Sequence, residues 1–139
     1  MMKRFGLILP LFLIGACTTS VAVPLGNHTQ PLQGSWQIKE AEGQTVRSEV
    51  VMMLDGKDKA FSIGTDCNRV FGRYIASSDK KLQFGGIAST LMACPDAATE
   101  QQLTRILPLV RSYRFVGQHI EMFDRQGKTL LRGERVKGN

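Results

Sequence analysis

Short apolar stretches punctuated by turn residues set the strongest limit on what this chain can fold into. Ser35 to Glu40 place Trp36 and Ile38 on one face, and Ser48 to Leu54 follow, closing at Asp55-Gly56. In Ala60 to Gly64, Phe61 and Ile63 alternate with smaller residues. Gly72 to Ala76 and Leu82 to Phe84 flank a polar Ser77-Ser78-Asp79-Lys80 turn. Ser112 to Val116 and His119 to Phe123 read as a hairpin around Gly117, and Thr129 to Val136 follow a turn at Asp124 to Lys128. Alternation with period 2 marks a strand with one buried face. Many such strands with regular turns predict a mainly β domain in the α+β class, its sheet curled into a barrel or sandwich. Closure also removes exposed strand edges, which otherwise invite aggregation.

One segment breaks the pattern. Leu103, Ile106, Leu107 and Val110 recur at the spacing of one helix face,. Asp96 is a candidate N-cap, and Glu100 in the first turns suits the helix dipole. Pro108 is costly inside a helix. The spacing therefore predicts a helix from about Ala97 to Leu107, bent or finished at the proline. Its apolar face should plug one end or side of the barrel.

The first residues read differently. Met1 to Arg4 are short and basic, and Gly6 to Ala16 carry no charge. A basic start and a brief apolar run describe a secretory signal peptide. The run falls short of the roughly 20 residues a spanning helix needs. It ends Leu13-Ile14-Gly15-Ala16-Cys17, which resembles the bacterial lipobox. That resemblance implies removal of residues 1–16, lipidation of Cys17 and acylation of its new amino group, several chains giving the stable anchor that one cannot. The alternative is a soluble secreted protein with an incidental cysteine. By the same resemblance, Thr18, where an Asp would signal retention at the inner membrane, implies an outer-membrane anchor facing the periplasm if the cell has two membranes. Residues 17–31 lack periodicity, contain Pro24, Gly26 and Pro31, and read as a flexible tether,. The remaining stretch, residues 32–136, is sized for one domain within a chain of 139,.

Cys67 and Cys94 are the other two thiols. In an exported chain such a pair is more often a disulfide than a metal site. A bridge across a separation of 27 would contribute roughly 3–4 kcal/mol by chain entropy,. Two free, buried thiols are the competing reading. His28 and His119 are the only histidines, and no Cys-x-x-Cys or His-x-x-x-His spacing offers a zinc site,. No metal or cofactor is expected. The formal charge of +6 falls to +4 without Lys3 and Arg4, and no basic block carries interleaved aromatics, so no nucleic-acid partner is expected.

The middle of the chain carries a family resemblance. Asp66-Cys67-Asn68-Arg69-Val70-Phe71-Gly72-Arg73-Tyr74 resembles the "GCN-(R)-x-x-G-x-Y" core of the META domain family. Leu82-Gln83-Phe84 and Ala88 to Pro95 resemble its second signature, "L-x-F … ST-x-M-A-C-P". Leu32 to Trp36 match its "L-x-G-x-W" opening, and Glu100, Leu103 and Leu107 match the helix positions that follow. The likeness runs from about Leu32 to Leu131 and extends to the HslJ-like heat-inducible lipoproteins, which share the layout of signal peptide and single domain. It implies a small antiparallel, lipocalin-like β-barrel with one α-helix, and an association with envelope, heat or antibiotic stress. It supplies no catalytic residues. Asp66 stands where the family has Gly, and an Asp tolerates left-handed backbone angles better than most residues.

Within these motifs, Asn68 suits a tight turn that pins backbone. Gly72 suits a close approach or bend. Ser89 and Thr90 suit backbone groups near the helix entry, and Met92 suits the core. The small-polar cluster of Asn68, Ser89 and Thr90 is the candidate site. With no Gly-x-Ser-x-Gly elbow and no phosphate loop, the expectation is a non-enzymatic, monomeric envelope lipoprotein. It would touch the membrane through Cys17 and act as a stress-linked binding or interaction module with an envelope protein. The alternatives are a periplasmic inhibitor of a hydrolase, such as a protease or lysozyme, and a carrier of a small apolar ligand.

Overall fold

The structure is a computed structural model that describes residues 30–138 as a continuous chain, with Gly6, Pro10 and Gly15 described singly before them. Cys17, His28 and nearly all of the signal and tether lie outside the described residues.

Eight strands form one antiparallel sheet: β1 (Gly34–Ala41), β2 (Gln44–Asp55), β3 (Ala60–Gly64), β4 (Arg69–Ala76), β5 (Leu82–Ser89), β6 (Ser112–Val116), β7 (His119–Phe123) and β8 (Thr129–Arg135). The spatial order is β5-β4-β3-β2-β1-β8-β7-β6, so sequence neighbours pair except β5 and β6, and β8 returns to β1. This is an up-and-down, lipocalin-like half-barrel whose seam lies between β5 and β6. The seam is bridged where Leu82 N donates to Arg111 O and Tyr113 N donates to Lys80 O, each at 3.0 Å. The excursion that fills it holds helix α1 (Ala98–Ile106) and a 3₁₀ turn (Leu107–Leu109).

Alternation explains the curl. Trp36 and Ile38, Val50, Met52 and Leu54, Phe61 and Ile63, and Val70 and Tyr74 all point inward and are buried. Leu103, Ile106 and Leu107 are fully buried and close one end of this interior. Near the start of β1 the Arg135 guanidinium lies 4.0 Å over the Trp36 ring, a cation–π contact. Glu42 (φ 50) and Gly43 (φ 77) form the β1–β2 turn, with the paired positive φ that two-residue hairpins favour. Asp55 and Asp124 spend their carboxylates on turn amides, Asp55 Oδ1 accepting from Lys57 N at 2.8 Å and Asp124 Oδ1 from Gln126 N at 2.9 Å.

Four elements differ from the sequence reading. Strand β2 begins four residues earlier than Ser48, a stretch the apolar pattern does not show because Val46, half-buried against the core, is its one apolar residue. Strand β4 begins at Arg69 rather than Gly72, with Val70 as its first buried residue. Strand β5 runs to Ser89 rather than Phe84. Gly85-Gly86 hide it from a hydrophobicity pattern, and the register shifts opposite them between Phe71 and Arg73. Helix α1 stops at Ile106, and Pro108 sits in the 3₁₀ turn, where a missing amide costs little,. Asp96 is not the N-cap itself. It lies one residue before N-cap Ala97, and its carboxylate accepts from Ala98 N at 3.0 Å.

Candidate functional site

The β3–β4 turn folds on itself before it reaches anything else. Thr65 Oγ1 donates to Asn68 O at 2.7 Å and accepts from Asn68 N at 3.2 Å. A hydroxyl bonding backbone three residues on is a local turn device. It swings the Asn68 side chain inward, where the residue is only 7% exposed.

There Asn68 meets five partners. Its Oδ1 accepts from Thr90 Oγ1 at 2.8 Å and from Met92 N at 2.9 Å. Its Nδ2 donates to Glu100 Oε2 at 2.7 Å, with Met92 O and Cys94 Sγ each at 3.3 Å. Donors surround the oxygen and acceptors surround the nitrogen, so the amide orientation follows from the network. One neutral side chain thus ties the start of β4, the chain after β5, and the first turn of α1. A buried polar group bonded on both sides rigidifies its surroundings, and unpaired it would be costly.

Cys67 and Cys94 are bridged beside this node, with Cα atoms 6.0 Å apart. Thr90 also extends the β4–β5 pairing: its N donates to Arg69 O, and its Oγ1 accepts from Arg69 N, both at 3.0 Å. Ser89 stays in the ladder opposite Val70, outside the node. Gly72 answers to packing. A Cβ there would stand 2.7 Å from Gly85 O and 2.8 Å from a Phe61 ring carbon. Asp66 needs no left-handed backbone, because positive φ among described non-glycine residues is confined to Glu42, Lys59 and Lys80.

Met92 departs from its expected place in the core. Asn68 grips its backbone on both sides, yet its side chain is 64% exposed, and Leu91 beside it is 96% exposed. The backbone is tied inward while the apolar side chains face water. The sequence reading placed Met92 in the core because its adaptable apolar side chain suits that role. It also missed Glu100 as a partner of Asn68, although the Thr65-x-x-Asn68 spacing was the available sign of an inward-turned Asn.

A surface cleft of about 420 Å³ lies beside the node. Thr65, Asp66, Cys67 and Glu100 form one wall, Gln44 to Ser48 face them, and the α1 entry lies between. Neither Asn68 nor Thr90 lines it. The cleft holds three carboxylates (Asp66, Asp96, Glu100) and one guanidinium (Arg47), with no histidine or free thiol. Among the described residues, no group of three His, Cys, Asp or Glu is placed to hold a metal, and no helix is long and apolar enough to cross a membrane. Farther along α1, Arg105 clasps Glu42 at 3.0 and 2.8 Å, and Gln102 Nε2 adds a bond at 3.1 Å. The Arg105 and Gln102 hydrogen bonds hold the Glu42 carboxyl at about 2, well below the usual carboxylate range,.

Comparison with known proteins follows the same outline. The family model described as META domain matches residues 30–137. No curated protein matches the chain. Among solved structures, an NMR structure of a protein from Burkholderia xenovorans is 22% identical, with a TM-score of 0.59, covering 76% of this chain and 83% of its own. A crystal structure of a DUF4847 family protein from Bacteroides vulgatus is 11% identical, with a TM-score of 0.58, covering 77% of this chain and 95% of its own. At these identities the two likenesses bear on the fold alone.

Proposed function

The chain belongs to the META domain family, and from that premise we propose that it is a non-enzymatic envelope lipoprotein whose domain works by contact. Cys17 holds it to the outer membrane facing the periplasm, and the tether gives it reach. It serves the cell under heat, antibiotic or other envelope stress. One observation carries the contact reading. Asn68 bonds both the N–H and the C=O of Met92, while the Leu91 and Met92 side chains stay in water. A contact loop held rigid before binding loses less entropy on docking.

The filled interior argues against carriage of a ligand inside the barrel: Trp36, Met52, Ile63, Leu82, Ile120 and Met122 have essentially no exposure. Inhibition of a hydrolase is the second reading, favoured by an exposed loop braced by a disulfide at its exit. Deletion, followed by complementation, tests the proposal. Deleted cells should lose survival under heat, detergent or antibiotic. Wild type should restore it, whereas Leu91→Asp/Met92→Asp and Cys17→Ser should not. Unchanged survival and envelope permeability in the deletion strain would contradict the proposal.

A further inference from the structure

The exposed loop continues into one face of the barrel wall. Thr90 leads back along β5 beside Arg69. On the outward side of β4, Arg69, Phe71, Arg73 and Ile75 alternate, with Phe71 opposite Ala88 and Ile75 opposite Gln83. Phe71 and Ile75 are exposed, as is Met53 nearby on β2. The outward residues of β3 are small (Ala60, Ser62, Gly64), so these larger side chains stand clear of the surface between β2 and β4. Together they make a ridge, Leu91 and Met92 at one end, Phe71 in the middle, Ile75 at the other, with two arginines set between.

The arginines are held by neutral oxygens. Arg69 Nη1 reaches Ser62 Oγ at 3.4 Å, and Arg73 Nη1 donates to the Asp58 carbonyl at 2.8 Å. Neither joins an ion pair among the described residues. The carboxylates near this stretch of wall are Glu49 and Asp55 on β2 and Asp58 in the β2–β3 turn; Asp55 is committed to that turn, and Asp58 meets Arg73 through its carbonyl, with no ion pair between their side chains. Asp66 and Asp96 line the cleft beside the disulfide.

We propose that this ridge rests on a lipid surface bearing anionic headgroups, Arg69 and Arg73 pairing with phosphates while Leu91, Met92, Phe71 and Ile75 enter the acyl boundary. An apolar surface interleaved with cations is the pattern of an interfacial binder, its strength the sum of buried area and attraction to anionic lipid. The inference deepens the contact reading above and names what the loop contacts. Reach is no obstacle. Thirteen steps from Cys17 to Gln30 span at most about 45 Å, while an eight-residue strand such as β4 is roughly 26 Å long,. The domain can therefore lie on the bilayer that its own anchor occupies.

The test uses the lipidated mature protein in vesicles of phosphatidylcholine and phosphatidylglycerol with brominated acyl chains, which quench tryptophan on contact. Trp36, the one native tryptophan, is buried in the barrel and gives an unquenched baseline. Leu91→Trp should lose at least about half of its added emission, as a side chain sunk to the acyl boundary would. Glu134→Trp, on β8, four places from β4 in the sheet, should lose none. Adding Arg69→Glu and Arg73→Glu to Leu91→Trp should abolish the quenching, with an unchanged circular dichroism spectrum reporting an intact fold. Co-flotation with vesicles reads the anchor separately. If the Leu91→Trp protein floats and its added emission remains unquenched in anionic vesicles, the lipid proposal is overturned, and the loop's contact is with a protein. If flotation fails, adding saturating vesicles to the unanchored protein still reads the face: quenching supports the proposal, and its absence overturns it.

Discussion

On the half of the wall formed by β6, β7, β8 and β1, outward charges answer one another across the strands. Arg114 meets Glu121 at 2.6 Å, Glu121 meets Arg132 at 3.1 Å, and Arg132 meets Glu40 at 3.1 Å. On the half formed by β2 to β5, Arg69 and Arg73 stand beside exposed apolar side chains and pair with no carboxylate among the described residues. Cohesion differs in the same way. The first half spreads it over a ladder of cross-strand pairs, each of modest worth. The second concentrates it at Asn68, which joins β4, the exposed loop and α1 beside the Cys67–Cys94 bridge. A surface that satisfies itself has little to offer a partner. One that is pinned from behind and unsatisfied in front is built to be met.

Breaking the pinned half should therefore cost far more than breaking the ladder. Asn68→Asp puts a carboxylate oxygen where the amide now donates to Glu100 Oε2 at 2.7 Å. Urea unfolding should show a loss of about 3–5 kcal/mol, more than for Asn68→Ala, which strands the same partners without adding a charge. Gly72→Ala drives a methyl into the Gly85 carbonyl and the Phe61 ring, and should cost about 1–3 kcal/mol as overpacking. In the ladder, the Glu121 carboxylate is itself buried at 8% exposure, but its guanidinium partners face solvent and can rehydrate, so Glu121→Gln should cost about 1–2 kcal/mol and shrink in high salt,. A loss as large as that of Asn68→Asp would erase the distinction between the halves.

The smallest effect belongs to Glu42, in the turn between β1 and β2. Its folded carboxyl titrates at about 2, below the range of an unfolded glutamate, chiefly because of the Arg105 and Gln102 hydrogen bonds. A depressed acid stabilises the fold above its unfolded pKa and loses that contribution as pH falls through the folded value. Glu42→Gln should thus be slightly less stable than wild type at neutral pH. Thermal melts of the two should converge as pH drops from the ordinary glutamate range toward 2.

Most of the architecture was legible because a half-buried strand writes its period into the sequence. Phe61 and Ile63 fixed β3, and the spacing of Leu103 and Ile106 fixed the buried face of α1, which Leu107 continues in the 3₁₀ turn. Legibility ended where burial stops ordering the sequence. The first four residues of β2 hold a single half-buried apolar residue, Val46, and the glycines of β5 hold none, so neither stretch writes a readable alternation. At the site, Asn68 and Thr90 stood out as small polar residues in a motif, and the structure joins them. Glu100 completes the node from 32 positions away, a contact that only the tertiary fold creates. Met92 shows the limit most plainly: its adaptable apolar side chain suited the core, but hydrogen bonds to its own backbone hold it at the surface.

Amide hydrogen exchange at Leu91 and Met92 tests the pinned loop most directly. The Met92 amide, donated to a buried Asn68 oxygen, should exchange far more slowly than the Leu91 amide, and Asn68→Ala should remove that protection while the β7 and β8 amides keep theirs. If Met92 exchanges as fast as Leu91 in the native protein, the loop is not held from behind, and the rigid contact surface does not exist.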